Sequence, residues 1–161
     1  VAGFVFGNIS LTSEMGGEDV IRKAIIDADI VDCIVTFPDK LFYSTPIPAS
    51  IWLIRRARAS SVGNKVRKKE ILFIDASKLG KNVTRTHSEL TDKDISVIAQ
   101  TYRFWLTRSN NYVNKKGFCR SVSAEEVLNN KCNLLPASYV NAGHIRASQS
   151  LKVRDLLMIS D

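Results

Sequence analysis

The sequence lacks a long apolar run, a cysteine framework and a metal-binding motif. No stretch of about 18 or more apolar residues occurs, so no membrane-spanning helix is expected. The three cysteines, Cys33, Cys119 and Cys132, form no CxxC pair and lie near no histidine at metal-ligand spacing. A disulfide scaffold and a structural zinc site are therefore excluded. We expect the cysteines to be small core residues of a cytoplasmic protein.

Catalytic and phosphate-binding signatures are also missing. There is no GxSxG, HExxH, P-loop or GxGxxG pattern. The two histidines, His87 and His144, stand in polar surroundings and are expected at the surface. The Gly16-Gly17 pair is followed by two acidic residues, which would repel a phosphate at a helix start, so the pair predicts a turn. The sequence thus contains no catalytic residue that we can assign.

What the sequence does contain is an excess of positive charge. Lys and Arg number 23 against 16 Asp and Glu, which gives a formal net charge of +7. An excess of this kind favours binding of a polyanion such as DNA. The positive charge is concentrated in residues 55–69, called the basic segment below. The candidate contacts to the DNA backbone in this segment are Arg55, Arg56, Lys65, Arg67, Lys68 and Lys69. A solvated loop without a ligand is the alternative.

The apolar pattern of the first half predicts alternating strands and helices. Residues 1–6 are expected to form a buried strand, and residues 20–28 repeat apolar side chains at helical spacing. Residues 30–37 and 50–54 predict two strands joined by a connection too short for a crossover helix, so they should be antiparallel neighbours. A further short strand is predicted at residues 70–74.

Capping patterns predict two helices in the second half. Thr91 and Asp94 stand at capping positions before a helix at about residues 92–107. Ser123 and Glu126 have the spacing of a full capping box before a second, short helix.

Six short motifs follow one another in the first third of the chain. They are Phe4-Val5-Phe6-Gly7-Asn8, Gly16-Gly17-Glu18, Ile21-Arg22-Lys23, Ile34-Val35-Thr36-Phe37-Pro38, Leu41-Phe42-Tyr43-Ser44-Thr45-Pro46-Ile47-Pro48 and Ile51-Trp52-Leu53-Ile54-Arg55-Arg56. Their order and spacing resemble the later half of the methyltransferase domain in the modification subunits of type I restriction systems. The resemblance continues to about Val140 through Leu72-Phe73-Ile74-Asp75-Ala76, Gly117-Phe118-Cys119 and Cys132-Asn133-Leu134-Leu135-Pro136.

For the fold, the resemblance implies an α/β class with a Rossmann-like mixed sheet of the methyltransferase type. Residues 1–77 would be the distal part of the methyltransferase α/β domain, with a helix on one face of the sheet. Residues 78–161 would be a mainly helical C-terminal region, an appendage to that sheet. The strands predicted at residues 30–37 and 50–54 would form its antiparallel edge.

For the activity, the resemblance implies a fragment of a site-specific N6-adenine DNA methyltransferase that uses S-adenosylmethionine. The family works with a DNA-specificity subunit and a nuclease-translocase subunit. Its methyl-donor loop and its Asn-Pro-Pro-Phe catalytic motif would lie upstream of Val1, and the start without Met also suggests a cut inside a larger protein. The chain alone is therefore expected to be inactive and to bind no cofactor.

For the site, the resemblance places Phe42 and Tyr43 in the loop that holds the target base. An enzyme that acts on adenine in duplex DNA must extrude the base, which then stacks on an aromatic side chain. Which of the two residues faces the base is open. The alternative is that Phe42 only fills the space under a β-hairpin.

Two other interpretations of the whole chain stay open. One is a non-catalytic DNA- or protein-interaction module, or a degenerate methyltransferase remnant. The other is a nucleotide-binding α/β domain of unrelated chemistry, against which the lack of a Gly-rich strand-to-helix turn argues.

Overall fold

A computed structural model of the chain describes residues 1–42, 46–55 and 69–141. The strands are β1 (Ala2–Gly7), β2 (Val31–Thr36), β3 (Ala49–Ile54), β4 (Glu70–Asp75), β5 (Lys81–Thr84), β6 (His87–Glu89) and β7 (Cys119–Ser123). The α-helices are α1 (Glu18–Asp27), α2 (Asp92–Leu106), α3 (Ala124–Asn129) and α4 (Ala137–Val140). Two 3-10 helices, Asn8–Leu11 and Met15–Gly17, lie between β1 and α1. Among the residues described, no helix is long and apolar enough to cross a membrane.

Five strands form one mixed sheet in the order β1-β3-β2-β4-β7. β3 runs antiparallel to both β1 and β2, and β2 runs parallel to β4. The predicted antiparallel pairing of the strands at residues 30–37 and 50–54 is confirmed, with Val35 opposite Ile51. Their predicted position at the edge of the sheet is wrong. β2 pairs with β4 on its other side and β3 pairs with β1, so both strands are internal.

The sheet carries a hydrophobic cluster on each face. Every residue of β2 is buried, and successive side chains point to opposite faces. Ile34 joins the cluster that includes Tyr139 of α4, whereas Cys33 joins the cluster that includes Trp105 of α2. Helices therefore cover both faces of this sheet, whereas a helix on one face was predicted.

β1 forms one edge of the sheet, and its predicted burial is wrong. All six of its residues are exposed, including Phe4 at 49%, Val5 at 57% and Phe6 at 44%. An apolar run identifies a strand, but burial also needs layers on both faces, and the described part of the chain does not cover this strand.

α1 is present where a helix was predicted, but the face that it buries is not the one that its apolar residues Val20 and Ile21 predicted. The apolar residues Val20 and Ile21 are exposed, whereas Arg22 and Ile26 are buried. Arg22 can be buried because its guanidinium donates to backbone carbonyls, at 3.0 Å to Cys132, 3.2 Å to Ser10 and 2.6 Å to Ser13. The spacing of apolar residues along a helix does not predict the burial of an arginine whose guanidinium is hydrogen-bonded to carbonyls in this way.

The second half of the chain mixes helices with strands that the sequence did not predict. β5 and β6 form a hairpin, and β7 joins the main sheet beside β4. The two predicted helices are present. Thr91 and Asp94 make a reciprocal capping box at α2, whereas Ser123 caps α3 through the backbone N–H of Glu126 alone. The predicted full box at α3 is wrong, because the Glu126 carboxylate pairs with Arg120 at 3.0 Å.

The three cysteines are buried free thiols, as expected of small core residues. Burial raises the pKa of the Cys33 thiol well above its usual value. The division into residues 1–77 and 78–161 remains a prediction, since residues 142–161 lie outside the described part of the chain.

Candidate functional site

Three strand ends meet at one edge of the sheet. β1, β2 and β4 are mutually parallel, because β3 runs antiparallel to both β1 and β2. Their carboxyl ends define what we call the carboxyl edge. At this edge Thr36 Oγ1 donates to Asp75 Oδ1 at 3.2 Å, and the backbone N–H of Ala76 donates to the carbonyl of Thr36 at 2.9 Å. Ligands of open α/β sheets bind outside the carboxyl ends of the strands, so this edge is where a site is expected.

The aromatic loop, residues 37–48, joins β2 to β3 at the carboxyl edge. Hydrogen bonds hold it at both ends, from Phe37 N–H to the Ala49 carbonyl at 2.9 Å and from Asn8 N–H to the Pro48 carbonyl at 3.0 Å. A third bond runs from Ser88 N–H in β6 to the Lys40 carbonyl at 2.9 Å. The ends of the loop are therefore anchored to the sheet, and Lys40 to the β5–β6 hairpin.

Phe42 lies in this loop with 42% of its surface exposed. The described residues thus do not enclose its ring. Tyr43 lies outside the described residues. Asn8 follows β1 at the same edge, and its Oδ1 is buried without a hydrogen-bond partner.

A cleft of about 230 Å³ opens beside the aromatic loop. The residues that line it include Pro38, Asp39, Lys78, Lys81 and Ser88. The β5–β6 hairpin contributes Lys81 and Ser88 to this lining and was not predicted, since its strands are short and polar. The glycine at position 80 was the available sequence signal for a turn before the hairpin. In the structure Gly80 has a φ of +85°, and a Cβ there would lie 2.7 Å from the Glu89 carbonyl oxygen.

His87 in β6 is buried, so its predicted surface position is wrong. Its Nε2 lies 3.5 Å from Glu89 Oε1. His144 lies outside the described residues. Within the described ranges, no group of three or more His, Cys, Asp or Glu side chains could hold a metal ion.

The two ends of the basic segment lie at the opposite edge of the sheet, which we call the amino edge. Arg55 follows β3, where Ile54 stands opposite Val31 at the start of β2. Lys69 precedes β4, which starts at the same edge as β2. A six-residue strand separates the two edges by about 17–20 Å. The structure therefore does not bring Phe42 together with Arg55 or Lys69.

Arg55 is held in a polar cluster at the amino edge. Its Nε lies 2.8 Å from Asp32 Oδ2, and its second guanidinium nitrogen donates to the Tyr102 hydroxyl at 3.1 Å. The Tyr102 hydroxyl in turn donates to Asp32 Oδ2 at 2.7 Å. Burial, reinforced by this bond to Asp32, raises the pKa of Tyr102 to about 12. The Arg55 guanidinium thus neutralises a buried carboxylate and joins β2, β3 and α2.

Lys69 is exposed but also makes local bonds. Its backbone N–H donates to Asp29 Oδ1 at 2.9 Å, and its Nζ donates to the Asp27 carbonyl at 3.1 Å. The other candidate DNA contacts lie outside the described residues, namely Arg56, Lys65, Arg67 and Lys68.

Comparisons with known proteins agree on one family. A family model described as N-6 DNA methylase matches residues 1–148. The chain is 43% identical over 136 residues to the type I restriction enzyme HindI methylase subunit of Haemophilus influenzae, covering 84% of this chain and 29% of that protein. It is 36% identical over 141 residues to the type I restriction enzyme MjaIX methylase subunit of Methanocaldococcus jannaschii, covering 86% of this chain and 24% of that protein.

A solved structure has the same fold. The type I restriction-modification system methyltransferase subunit from Streptococcus thermophilus superposes with a TM-score of 0.67 at 26% identity, over 88% of this chain and 26% of that one. The predicted α/β fold of the methyltransferase type is confirmed, and this chain spans less than a third of the length of these relatives. The resemblance to type I modification subunits is also confirmed, and the chain belongs to the N-6 DNA methylase family.

Proposed function

We propose that this chain forms the target-base side of an N6-adenine DNA methyltransferase in a type I restriction-modification system. The parent enzyme would act on DNA in the cytoplasm, with S-adenosylmethionine as methyl donor. It would assemble with a DNA-specificity subunit and a nuclease-translocase subunit. The similarity to type I methylase subunits supports this setting, and the aromatic loop supports the role within it.

The observation that carries the proposal is the exposed Phe42 at the carboxyl edge of three parallel strands. An extruded adenine needs a flat apolar surface to replace the stacking that it loses in the duplex. Stacking on one aromatic side chain is worth about 1–3 kcal/mol, which is comparable with the unstacking cost of a few kcal/mol. A ring enclosed in the core could not supply this surface.

The anchoring of the loop supports the same role. Hydrogen bonds at both ends and at Lys40 limit the conformations of the backbone that carries Phe42. Pro46 and Pro48 restrict it further, because proline fixes φ. An aromatic ring that is already positioned loses little entropy when a base stacks on it.

The described residues do not fit the methyl donor. The β1 strand leads into Gly7-Asn8 and a 3-10 helix, and the later Gly16-Gly17 turn leads directly into Glu18 and Asp19 at the start of α1. Neither arrangement offers a glycine-rich approach to a nucleotide-like ligand. The parts that bind S-adenosylmethionine, and the Asn-Pro-Pro-Phe motif, would belong to other regions of the parent protein. The chain alone would therefore be inactive and bind no cofactor.

The basic segment would bind the DNA backbone without sequence preference. Phosphate contacts by lysine and arginine supply most of such binding. Within the segment we assign Arg56, Lys65, Arg67, Lys68 and Lys69 to this role. Arg55 would add only part of its charge, since its guanidinium already neutralises Asp32.

One observation favours a second candidate, a non-catalytic interaction module. β1 exposes Phe4, Val5 and Phe6, and α1 exposes Val20 and Ile21. Contiguous exposed apolar side chains mark protein interfaces. This candidate predicts a partner for β1 and no role for Phe42 in methylation.

Substitution of Phe42 in the full-length enzyme separates the two candidates. Phe42→Ala should lower methylation of duplex DNA by about 5- to 150-fold, the equivalent of losing 1–3 kcal/mol of base stacking. Affinity for S-adenosylmethionine should stay nearly constant, because the base and not the cofactor contacts the ring. The measurements are single-turnover methylation and calorimetric titration of the cofactor.

Tyr43→Ala is the matched control. In extended backbone adjacent side chains point in opposite directions, so the two substitutions test alternative contacts to the base. A large loss with Tyr43→Ala and none with Phe42→Ala would exchange their roles. Normal methylation by both variants, in folded enzyme, would refute the proposed base contact and favour the interaction module.

A further inference from the structure

We propose that the cleft beside the aromatic loop binds a backbone phosphate of the DNA strand that carries the target base, and that Lys78 and Lys81 hold this phosphate. The proposal rests on the proposed function, since it needs a base that is extruded towards Phe42. It adds a phosphate contact at the carboxyl edge. The two ends of the basic segment lie at the amino edge, about 17–20 Å away.

Three internal segments of the chain build the cleft. Residues 38–39 come from the aromatic loop, residues 77–82 from the turn after β4 and the start of β5, and Ser88 from β6. β2 and β4 run parallel as neighbours, so the loop and the turn that follow them leave the sheet side by side. The position of the cleft next to the aromatic loop is therefore set by the pairing of these two strands.

The turn that carries Lys78 is held by short-range hydrogen bonds. Asp75 Oδ1 accepts from the backbone N–H of Ser77 at 3.0 Å, and the backbone N–H of Leu79 donates to the Ala76 carbonyl at 3.0 Å. These bonds limit the conformations of the backbone on both sides of the lysine. A side chain on such a backbone loses less entropy when it binds a ligand.

The charge of the lining favours an anion. Its charged residues are Lys78 and Lys81 against Asp39. Neither lysine forms a hydrogen bond or an ion pair with another residue that the structure describes. They differ in this from Arg55 at the amino edge, whose charge neutralises a buried carboxylate. The cleft is also lined by Ser77, and lysine and serine are among the side chains that contact DNA phosphates.

The cleft lies close to the proposed base contact. Asp39 precedes Phe42 by three residues, so their Cα atoms are at most about 11 Å apart. The bond from Ser88 N–H to the Lys40 carbonyl, at 2.9 Å, joins the hairpin wall of the cleft to the same loop. An extruded base stays attached to its sugar and phosphates. A phosphate in the cleft would hold the backbone of the nucleotide whose base stacks on Phe42.

The test measures binding of the full-length enzyme to a duplex that contains one target adenine, by fluorescence anisotropy. Lys78→Gln and Lys81→Gln should each raise Kd about threefold or more at low salt, and each should reduce the salt slope by roughly 0.9. Lys131→Gln is the matched control, because it removes the same charge from an exposed lysine outside the cleft. Equal effects of the three variants would overturn the proposal.

The sign of the charge gives a second comparison. Asp39→Asn should lower Kd, since it removes the negative charge from the lining. Lys78→Arg keeps the positive charge and should bind DNA nearly as the wild type does. Weaker binding by Asp39→Asn, or a loss in Lys78→Arg as large as in Lys78→Gln, would show that the cleft does not hold an anion.

A neutral methylphosphonate in place of the phosphates beside the target adenine locates the contact. The wild-type enzyme should bind this duplex more weakly, and Lys78→Gln should cause little further loss on it. An undiminished effect of Lys78→Gln would refute the contact. Inorganic phosphate that competes better than sulfate at equal ionic strength would instead identify a site for free phosphate.

Phe42→Ala, assayed for methylation in parallel, separates this proposal from the one on which it rests. Normal methylation by Phe42→Ala would refute the base contact and with it the reason for a phosphate here. A large loss with Phe42→Ala, together with Lys78→Gln and Lys81→Gln that behave like Lys131→Gln, would refute the phosphate site alone.

Discussion

The two edges of the main sheet use their polar residues in different ways. At the carboxyl edge, the aromatic loop leaves Phe42 exposed and Asn8 Oδ1 without a partner. At the amino edge, Asp32, Arg55 and Tyr102 satisfy one another in a closed cluster. The carboxyl edge thus leaves an aromatic ring exposed, whereas the amino edge uses its charges to join β2, β3 and α2. An arginine at the start of a basic segment can therefore have a mainly structural role.

The largest expected effect tests the structural role of the amino edge. Arg55→Ala should lower the free energy of unfolding by about 3 kcal/mol, because Asp32 would stay buried without its positive partner. Urea denaturation of the purified chain gives the value. Lys23→Ala breaks an exposed ion pair with Asp27 at 2.7 Å and should cost less than about 0.5 kcal/mol. Equal losses of unfolding free energy in the two variants would mean that the cluster contributes no more to stability than an exposed ion pair.

A smaller and local effect is expected at the carboxyl edge. Gly80→Ala should destabilise the β5–β6 hairpin by about 1–3 kcal/mol, since alanine would have to adopt a positive φ and its Cβ would collide with the Glu89 carbonyl. Amide exchange should become faster in residues 81–89 and stay unchanged in β2 and β4. Gly16→Ala separates the two causes, because Gly16 has a φ of +63° but no atom within 4 Å of its added Cβ. If both variants behave alike, the close approach to Glu89 is unimportant.

Charge reversal in the basic segment should change DNA binding without unfolding the chain. Replacing Arg67, Lys68 and Lys69 with glutamate should weaken binding to a labelled duplex and flatten its salt dependence. Each lost phosphate contact reduces the slope of log affinity against log salt by roughly 0.9. Fluorescence anisotropy at several salt concentrations measures this slope. An unchanged slope would indicate that the segment is solvated and does not contact DNA.

The smallest effect is expected from the titration of Tyr102. Its pKa is raised from 10.0 to about 12 in the folded chain, so the unfolded chain loses this proton first as pH rises. The stability that this group contributes is complete below pH 10 and is lost between pH 10 and 12. The pKa of Tyr139, packed on the opposite face, is also raised to about 12. Tyr102→Phe should therefore reduce the alkaline loss of stability, measured by urea denaturation, without abolishing it.

The strands of the sheet interior could be predicted because their apolar runs are continuous. The runs around Ile34, Trp52 and Phe73 each formed a strand, and the short connection fixed the antiparallel pairing of β2 with β3. The separation of Phe42 from Arg55 could also have been inferred. When a chain enters β3 at one edge, it leaves at the other, so a loop before β3 and a cluster after it cannot be neighbours.

Other features depend on partners that are distant in sequence. The apolar residues of β1 identify a strand, but its exposure depends on which layers cover the sheet. β7 is short and polar, and it becomes a strand because it pairs with β4, about fifty residues earlier. Arg22 is buried because carbonyls of Ser10, Ser13 and Cys132 surround its guanidinium, and no local pattern predicts that arrangement.

The positions of the two tryptophans give the chain an internal optical probe for each layer. Trp52 belongs to the cluster beneath α1, and Trp105 belongs to the cluster beneath α2. Their indole N–H groups donate to Ser50 and Ser121 at 3.2 and 2.8 Å. Both indole rings are therefore buried and hydrogen-bonded in the folded chain. A red shift in fluorescence on unfolding can therefore be assigned to one side of the sheet by replacing either tryptophan with phenylalanine. Coincident transitions in the two single-tryptophan variants would mean that both layers unfold as one cooperative unit.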